Sequence, residues 1–200
     1  MKLNRHSDIQ AKLQGQHAIL SASQHSWLNY DEVQMEERTI SEDAKAKGTE
    51  LHALAEMLIK NNRKLRGNDT LSAYVNDAIG YGMEPEFFLF YSYNAYGTAD
   101  ALKFDDRKNL LRIHDLKTGV HPQYKINKNT GEYVLEQLRV YAAYFCLDND
   151  VKPIDINMEL RIYQNDEVFI DIPKVDDIIV IMNKIITFDK IIDRTRLKEK

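Results

Sequence analysis

Cysteine is almost missing from this chain of 200 residues: Cys146 stands alone. One thiol forms no internal disulfide and no four-cysteine zinc or iron–sulfur site. Proline and glycine are scarce too, at 4 and 8 residues, and no repeat, low-complexity tract or Pro/Gly linker divides the chain. A single domain over 1–200 is therefore expected, long enough to bury its own core. Long apolar runs are also lacking. The longest, FFLFY at 87–91 and IIVIM at 178–182, fall far short of the roughly 20 residues that span a bilayer. The amino-terminal MKLNRHSDIQAKL holds no apolar core of signal-peptide length, so a cytoplasmic protein without a membrane partner is expected. Nor is positive charge in excess. The formal net charge of -4 argues against coating nucleic acid by bulk charge, but leaves a local basic groove open. Residues 103–128 carry seven Lys or Arg against three Asp.

What is present is 44% hydrophobic and 29% charged, the balance of a soluble globular protein. Ser21 or Ser23 is placed to cap a short helix through SQHSWLNY, with Trp27 anchoring it to the core. A longer helix is expected from Ser41, with Glu42 and Asp43 in its first turn and Leu51, Leu54, Ala55 and Leu58 at helical spacing. A third covers about 70–80 and stops in the glycine pair of GYG. Five runs then read as strands: PEFFLFYSY, YGTADALKF, NLLRIHDLK, IDINMELRIYQ and EVFIDI. Between the third and fourth lies EYVLEQLRVYAAYFCL, whose Val134, Leu138, Tyr141, Ala142 and Phe145 form a helical stripe. An amphipathic helix over about 175–193 closes the chain. The order predicts an α/β fold of the α+β-type mixed kind, a central mixed sheet with helices packed on it.

The polar turn DDRKN at 105–109 predicts a hairpin. With Asp105 paired to Leu110, partner numbers sum to 215 and Asp100 falls opposite Asp115. Cross-strand partners share a face, and Lys117, two residues beyond Asp115, joins them. Facing carboxylates repel. Relief comes from a proton on one acid, from the lysine bridging both, or from a divalent cation between them, a hard ion that prefers oxygen ligands. On its own, the Asp115–Lys117 pair reads more readily as a plain ion pair at a strand end than as a catalytic pair, since so short a motif recurs by chance. His52 and Glu56 in GTELHALAE share one helix face at i, i+4, as do Gln137 and Tyr141 in EQLRVYAAY.

Taken in order, GTxxHxxxE, GTAD, DLKTG and EQLxxYA resemble the RecB-like branch of the PD-(D/E)XK nuclease superfamily, and in particular phage- or prophage-type exonucleases. The correspondence runs over about 21–145, and LSASQHSWLNY resembles the helix that opens several phage-type members. The resemblance implies a restriction-endonuclease-like core: helices over about 21–81, a catalytic sheet and helix over about 85–149, and closing strands and helix over about 154–194. It implies that Asp100, Asp115 and Lys117 are catalytic. His52, Asp100, Asp115 and the Leu116 carbonyl would hold Mg²⁺ or Mn²⁺, Gln137 and Tyr141 would position the strand, and Glu56 would steady His52. DNA is the implied partner, with self-association or a recombination partner protein beside it, and the implied reaction is phosphodiester hydrolysis leaving 5′-phosphates. Arg107, Lys108, Lys125 and Lys128 are expected in or near loops flanking the site, placed to contact backbone phosphates or simply forming a solvated charged surface. The iron–sulfur cluster of some relatives is excluded by the single cysteine, and Tyr30 stands where such relatives often have one. The second acid is Asp rather than the more frequent Glu, shortening its reach by one methylene. A non-catalytic nucleic-acid-binding or scaffold protein on the same fold is the alternative; it predicts a missing acid or lysine, and none is missing.

Overall fold

A computed structural model of the chain describes residues 1–35, 50–118 and 122–198. In chain order it contains helix α1 (Ser7–Lys12), a 3₁₀ turn at His25–Asn29, α2 (Glu50–Lys60) and α3 (Thr70–Tyr81). Strands β1 (Glu84–Ser92), β2 (Ala95–Asp105) and β3 (Leu110–Leu116) follow, then the short β4 (Lys125–Ile126) and β5 (Tyr133–Val134). Helix α4 (Glu136–Asp148), β6 (Asn157–Gln164), β7 (Glu167–Asp171) and α5 (Val175–Lys198) complete it. The five long strands form one mixed sheet in the order β1-β2-β3-β6-β7, flanked by helices. No helix among the described residues is long and apolar enough to cross a membrane.

Turn chemistry explains the order. The β2–β3 ladder runs from Asp105 opposite Leu110 to Ala101 opposite His114, the register that sums to 215. Asn109, at φ 45°, supplies the left-handed residue of that turn, a conformation asparagine tolerates. β3 then pairs with β6 in parallel, which a tight turn cannot achieve, and α4 lies within the connection that crosses between them. Side chains of β3 alternate between two cores. Leu111 and Ile113 join the larger one with Leu138 and Phe145 of α4 and Ile185 of α5. Leu116 joins the smaller one with Leu58 of α2, Tyr74 and Val75 of α3, and Tyr163 of β6. Each such aliphatic or aromatic side chain contributes about 1.5–3 kcal/mol on full burial.

Several boundaries differ from the sequence expectation. Ser21 and Ser23 bond each other at 2.8 Å instead of capping a helix, and only the 3₁₀ turn forms around the fully buried Trp27. The expected start of the second helix at Ser41 lies outside the described residues, and Leu54 on that helix is exposed. Helix α4 starts at Glu136 because Tyr133 and Val134 pair with Ile126 and Lys125, making KINKNTGEY a small hairpin. The last helix continues to Lys198.

Candidate active site

A cavity of about 800 Å³ opens beside the ends of β2 and β3 that lie away from their shared turn. Six of the side chains singled out in the sequence line it: His52 from α2, Asp100 from β2, Asp115 at the end of β3, Lys117 just beyond, and Gln137 and Tyr141 from α4. Asp100 is the residue after the last ladder pair, opposite Asp115. Its Oδ2 accepts the Leu116 N–H at 2.9 Å and lies 3.2 Å from His52 Nδ1. Leu116 thus meets Asp100 through its amide.

Asp115 is buried at 1% exposure. Gln137 Nε2 donates to its Oδ1 at 3.2 Å, and the Lys117 ammonium stands 2.9 Å from Oδ2. That ammonium also donates to Gln137 Oε1 at 2.8 Å, so one lysine serves both the buried carboxylate and the amide that bonds it. Tyr141 is seated by its hydroxyl, which donates to the Thr98 carbonyl at 2.6 Å, so what it offers the cavity is its ring. Gly97 makes room for that ring: a Cβ there would lie 3.1 Å from Tyr141 Cε1.

Two expectations are corrected by placement. Glu56 turns its carboxylate to Lys60, one helical turn on, and not to His52. Arg107 and Lys108 occupy the β2–β3 turn, about 17 Å along the strands from Asp100 and Asp115 at ~3.4 Å per residue, so they do not flank the site. Of the other basic residues in this stretch, Arg112 pairs with Glu159 at 3.0 Å and Lys125 with Glu136 at 2.7 Å.

The carboxylate that does stand with His52 is Glu86, unforeseen from the sequence. Ligand atoms of His52, Glu86 and Asp100 all lie within 4.8 Å of one another. Glu86 sits in β1 between the pairs Pro85–Ala101 and Phe87–Ala99, with its own φ at +52°. A non-glycine residue in the left-handed region inside a strand is strained by about 1–3 kcal/mol, a cost that concentrates at functional sites. Beyond the register shift between Phe90 and Ser92 the pairs of this hairpin sum to 186, which brings Glu86 opposite Asp100.

Electrostatics follow from this crowding. Burial, then the nearby Asp100, pushes the Glu86 carboxyl up to about 7. Burial, then Asp100, raises Asp115 to about 6 against the pull of Lys117. The hydrogen bond to Asp100 raises His52 despite its partial burial. Three acids therefore share one lysine and one histidine. A divalent ion fits this donor set: one imidazole nitrogen and carboxylate oxygens gathered at ligand spacing. Compared with known proteins, the chain matches no family model, no curated protein and no solved structure.

Proposed function

We propose that this protein is a metal-dependent DNA nuclease, an exonuclease of the phage or prophage recombination and repair type, hydrolysing phosphodiester bonds to leave 5′-phosphates. One observation carries the reading: Asp100, Asp115 and Lys117 converge with His52 on one cavity, where Glu86 adds a third acid and the described residues supply one lysine and one histidine beside them. A structural ion pair needs neither the third acid nor the open cavity.

In this reading His52, Glu86, Asp100 and Asp115 hold Mg²⁺ or Mn²⁺. When bound, the ion polarises the scissile phosphate and lowers the pKa of an attacking water. Gln137 keeps the Lys117 Nζ beside Asp115, where its N–H groups orient the water and offset charge growing on the phosphate oxygens. Gln137 thus acts through Lys117, and Tyr141 walls the cavity beside it. The basic residues of 103–128 contribute only Lys117 to the cavity, so the affinity for a long phosphate backbone has to come from the bound ions or from outside it.

Digestion of end-labelled linear DNA, single- and double-stranded, with Mg²⁺ or Mn²⁺ tests the proposal. Metal-dependent cleavage lost in Lys117→Ala is the expected result, and the label pattern gives polarity. Cleavage that survives the substitution would remove this cavity from the reaction.

A further inference from the structure

The cavity has a second wall that the chemistry above does not use. The amino-terminal segment is tied down at both ends. On one side Arg5 pairs with Glu84 at 2.5 Å and His6 with Asp148 at 2.7 Å. On the other the Leu20 N–H donates to the Asn94 carbonyl at 2.9 Å and the Trp27 indole to the Ser21 carbonyl at 2.9 Å. Between these anchors the chain lies along the cavity, presenting the exposed side chains of Gln10, Gln14 and Gln16 to it. These are neutral amides. Lys117 is the one lysine or arginine among the described residues lining the cavity.

Phe88 and Tyr96 also line it. Their ring centroids are 5.9 Å apart, and Phe88 is half-buried whereas Tyr96 is buried. Phe90 lies next along this aromatic group, 6.4 Å from Phe88, but His6 packs over it at 5.3 Å. Phe88 is therefore the ring of this group still open to the cavity beside the acids. Such a chamber suits one nucleotide better than a duplex. A duplex brings many phosphates, which need a track of cations, and the described residues of this lining supply one lysine. A strand end brings one phosphate to the floor and a base whose π-face stacks on an aromatic ring and whose edge bonds amides. The volume of about 800 Å³ lies in the range of clefts that enclose small ligands.

We infer that the cavity selects an unpaired strand end, stacking the nucleobase next to the reacting phosphate on Phe88 and meeting its edge with Gln10 and Gln14. The inference rests on the nuclease reading of the floor and adds the substrate class: single-stranded termini.

Fluorescence anisotropy tests it, with a labelled oligothymidylate and a blunt duplex of equal length, in Mg²⁺, on protein carrying Lys117→Ala to stop turnover. Expected are tighter binding of the single strand, a loss of about tenfold on adding Phe88→Leu, and recovery with Phe88→Trp. Gln14→Ala, fully on the surface, should cost the single strand a smaller factor of about two to three. Duplex binding should not respond to any of these changes. Single-strand binding indifferent to both Phe88→Leu and Gln14→Ala overturns the inference, as does a duplex bound as tightly as the single strand. Metal-dependent cleavage lost in Lys117→Ala would then leave the nuclease reading standing alone. No binding of either probe together with no cleavage by the wild type overturns both.

Discussion

Two polar clusters sit back to back on β3, and they are built in opposite ways. His114 points towards α3, where Arg161 reaches Asp77, Glu159 and the Tyr81 hydroxyl, each at 3.0 Å, and Arg112 reaches Glu159 at 3.0 Å. The Tyr163 hydroxyl donates to Asp77 at 2.7 Å and lies 3.2 Å from His114 Nδ1. Two guanidinium groups meet two carboxylates. Burial, reinforced by Arg161 and Arg112, lowers His114 to about 3, so it stays neutral. One residue along, Asp115 points towards α4 and joins Asp100 and Glu86, with Lys117 as the one ammonium among the described residues lining the cavity. The first cluster closes its charge internally. The second leaves negative charge that a proton or an added cation must offset. The difference separates a scaffold network from a candidate site: the number of ionic contacts is similar, and the balance of sign is not.

The largest effect expected is on catalysis. Asp100→Asn or Lys117→Ala should lower cleavage of labelled DNA by about 10²–10³-fold or more, the scale for removing an electrostatic group from a reacting centre. Changes in the other cluster should leave the rate per folded molecule within about twofold, inside the scatter expected when no reacting group is touched. That cluster answers instead in stability. Arg161→Met removes several charge-assisted hydrogen bonds and should cost about 2 kcal/mol in urea unfolding. A rate loss from Arg161→Met at full folding, or a large stability loss from Lys117→Ala, would break the comparison.

The metal-free protein should also show the excess charge in its pH dependence. Glu86 and Asp115 bind protons more tightly folded than unfolded, with values of about 7 and about 6 against 4.5 and 3.8. Between those limits the native state carries more protons, so stability falls as pH rises and levels off above about 7. His52, also raised, acts in the same direction. With chelator present, the melting temperature should drop by roughly 5 °C from about pH 5 to about pH 8, and Glu86→Gln should recover part of it. Stability that rises over this range would contradict the crowding of acids. The smallest effect expected is at Gly97. Gly97→Ala puts a methyl 3.1 Å from Tyr141 and should cost about 1 kcal/mol, read as a shift of ~2–4 °C in thermal melting.

Much of this arrangement is legible in the residues, for physical reasons that differ by part. The β2–β3 register is readable because DDRKN is a turn whose length leaves little freedom, and that register alone brings Asp100 opposite Asp115. The convergence of His52, Gln137 and Tyr141 is readable only through the resemblance, since their own helices say nothing about where the faces point. Glu86 is hidden because β1 departs from regular pairing twice, at its own positive φ and at the register shift between Phe90 and Ser92. The amino-terminal wall is hidden for another reason. Helix α1 buries no side chain of its own, so no periodic apolar pattern announces it. Arg107 and Lys108 were misplaced because proximity in sequence to Asp115 does not survive the length of β3.

One cluster carries acids in excess of its cations, while the other balances its own charge. Calorimetric titration of Mn²⁺ at about pH 8, above the Glu86 value of about 7, tests this on the wild type, Asp100→Asn and Asp77→Asn. Saturable binding to the wild type is expected, kept in Asp77→Asn and lost or strongly weakened in Asp100→Asn. No binding to the wild type, or binding indifferent to Asp100→Asn, would contradict it.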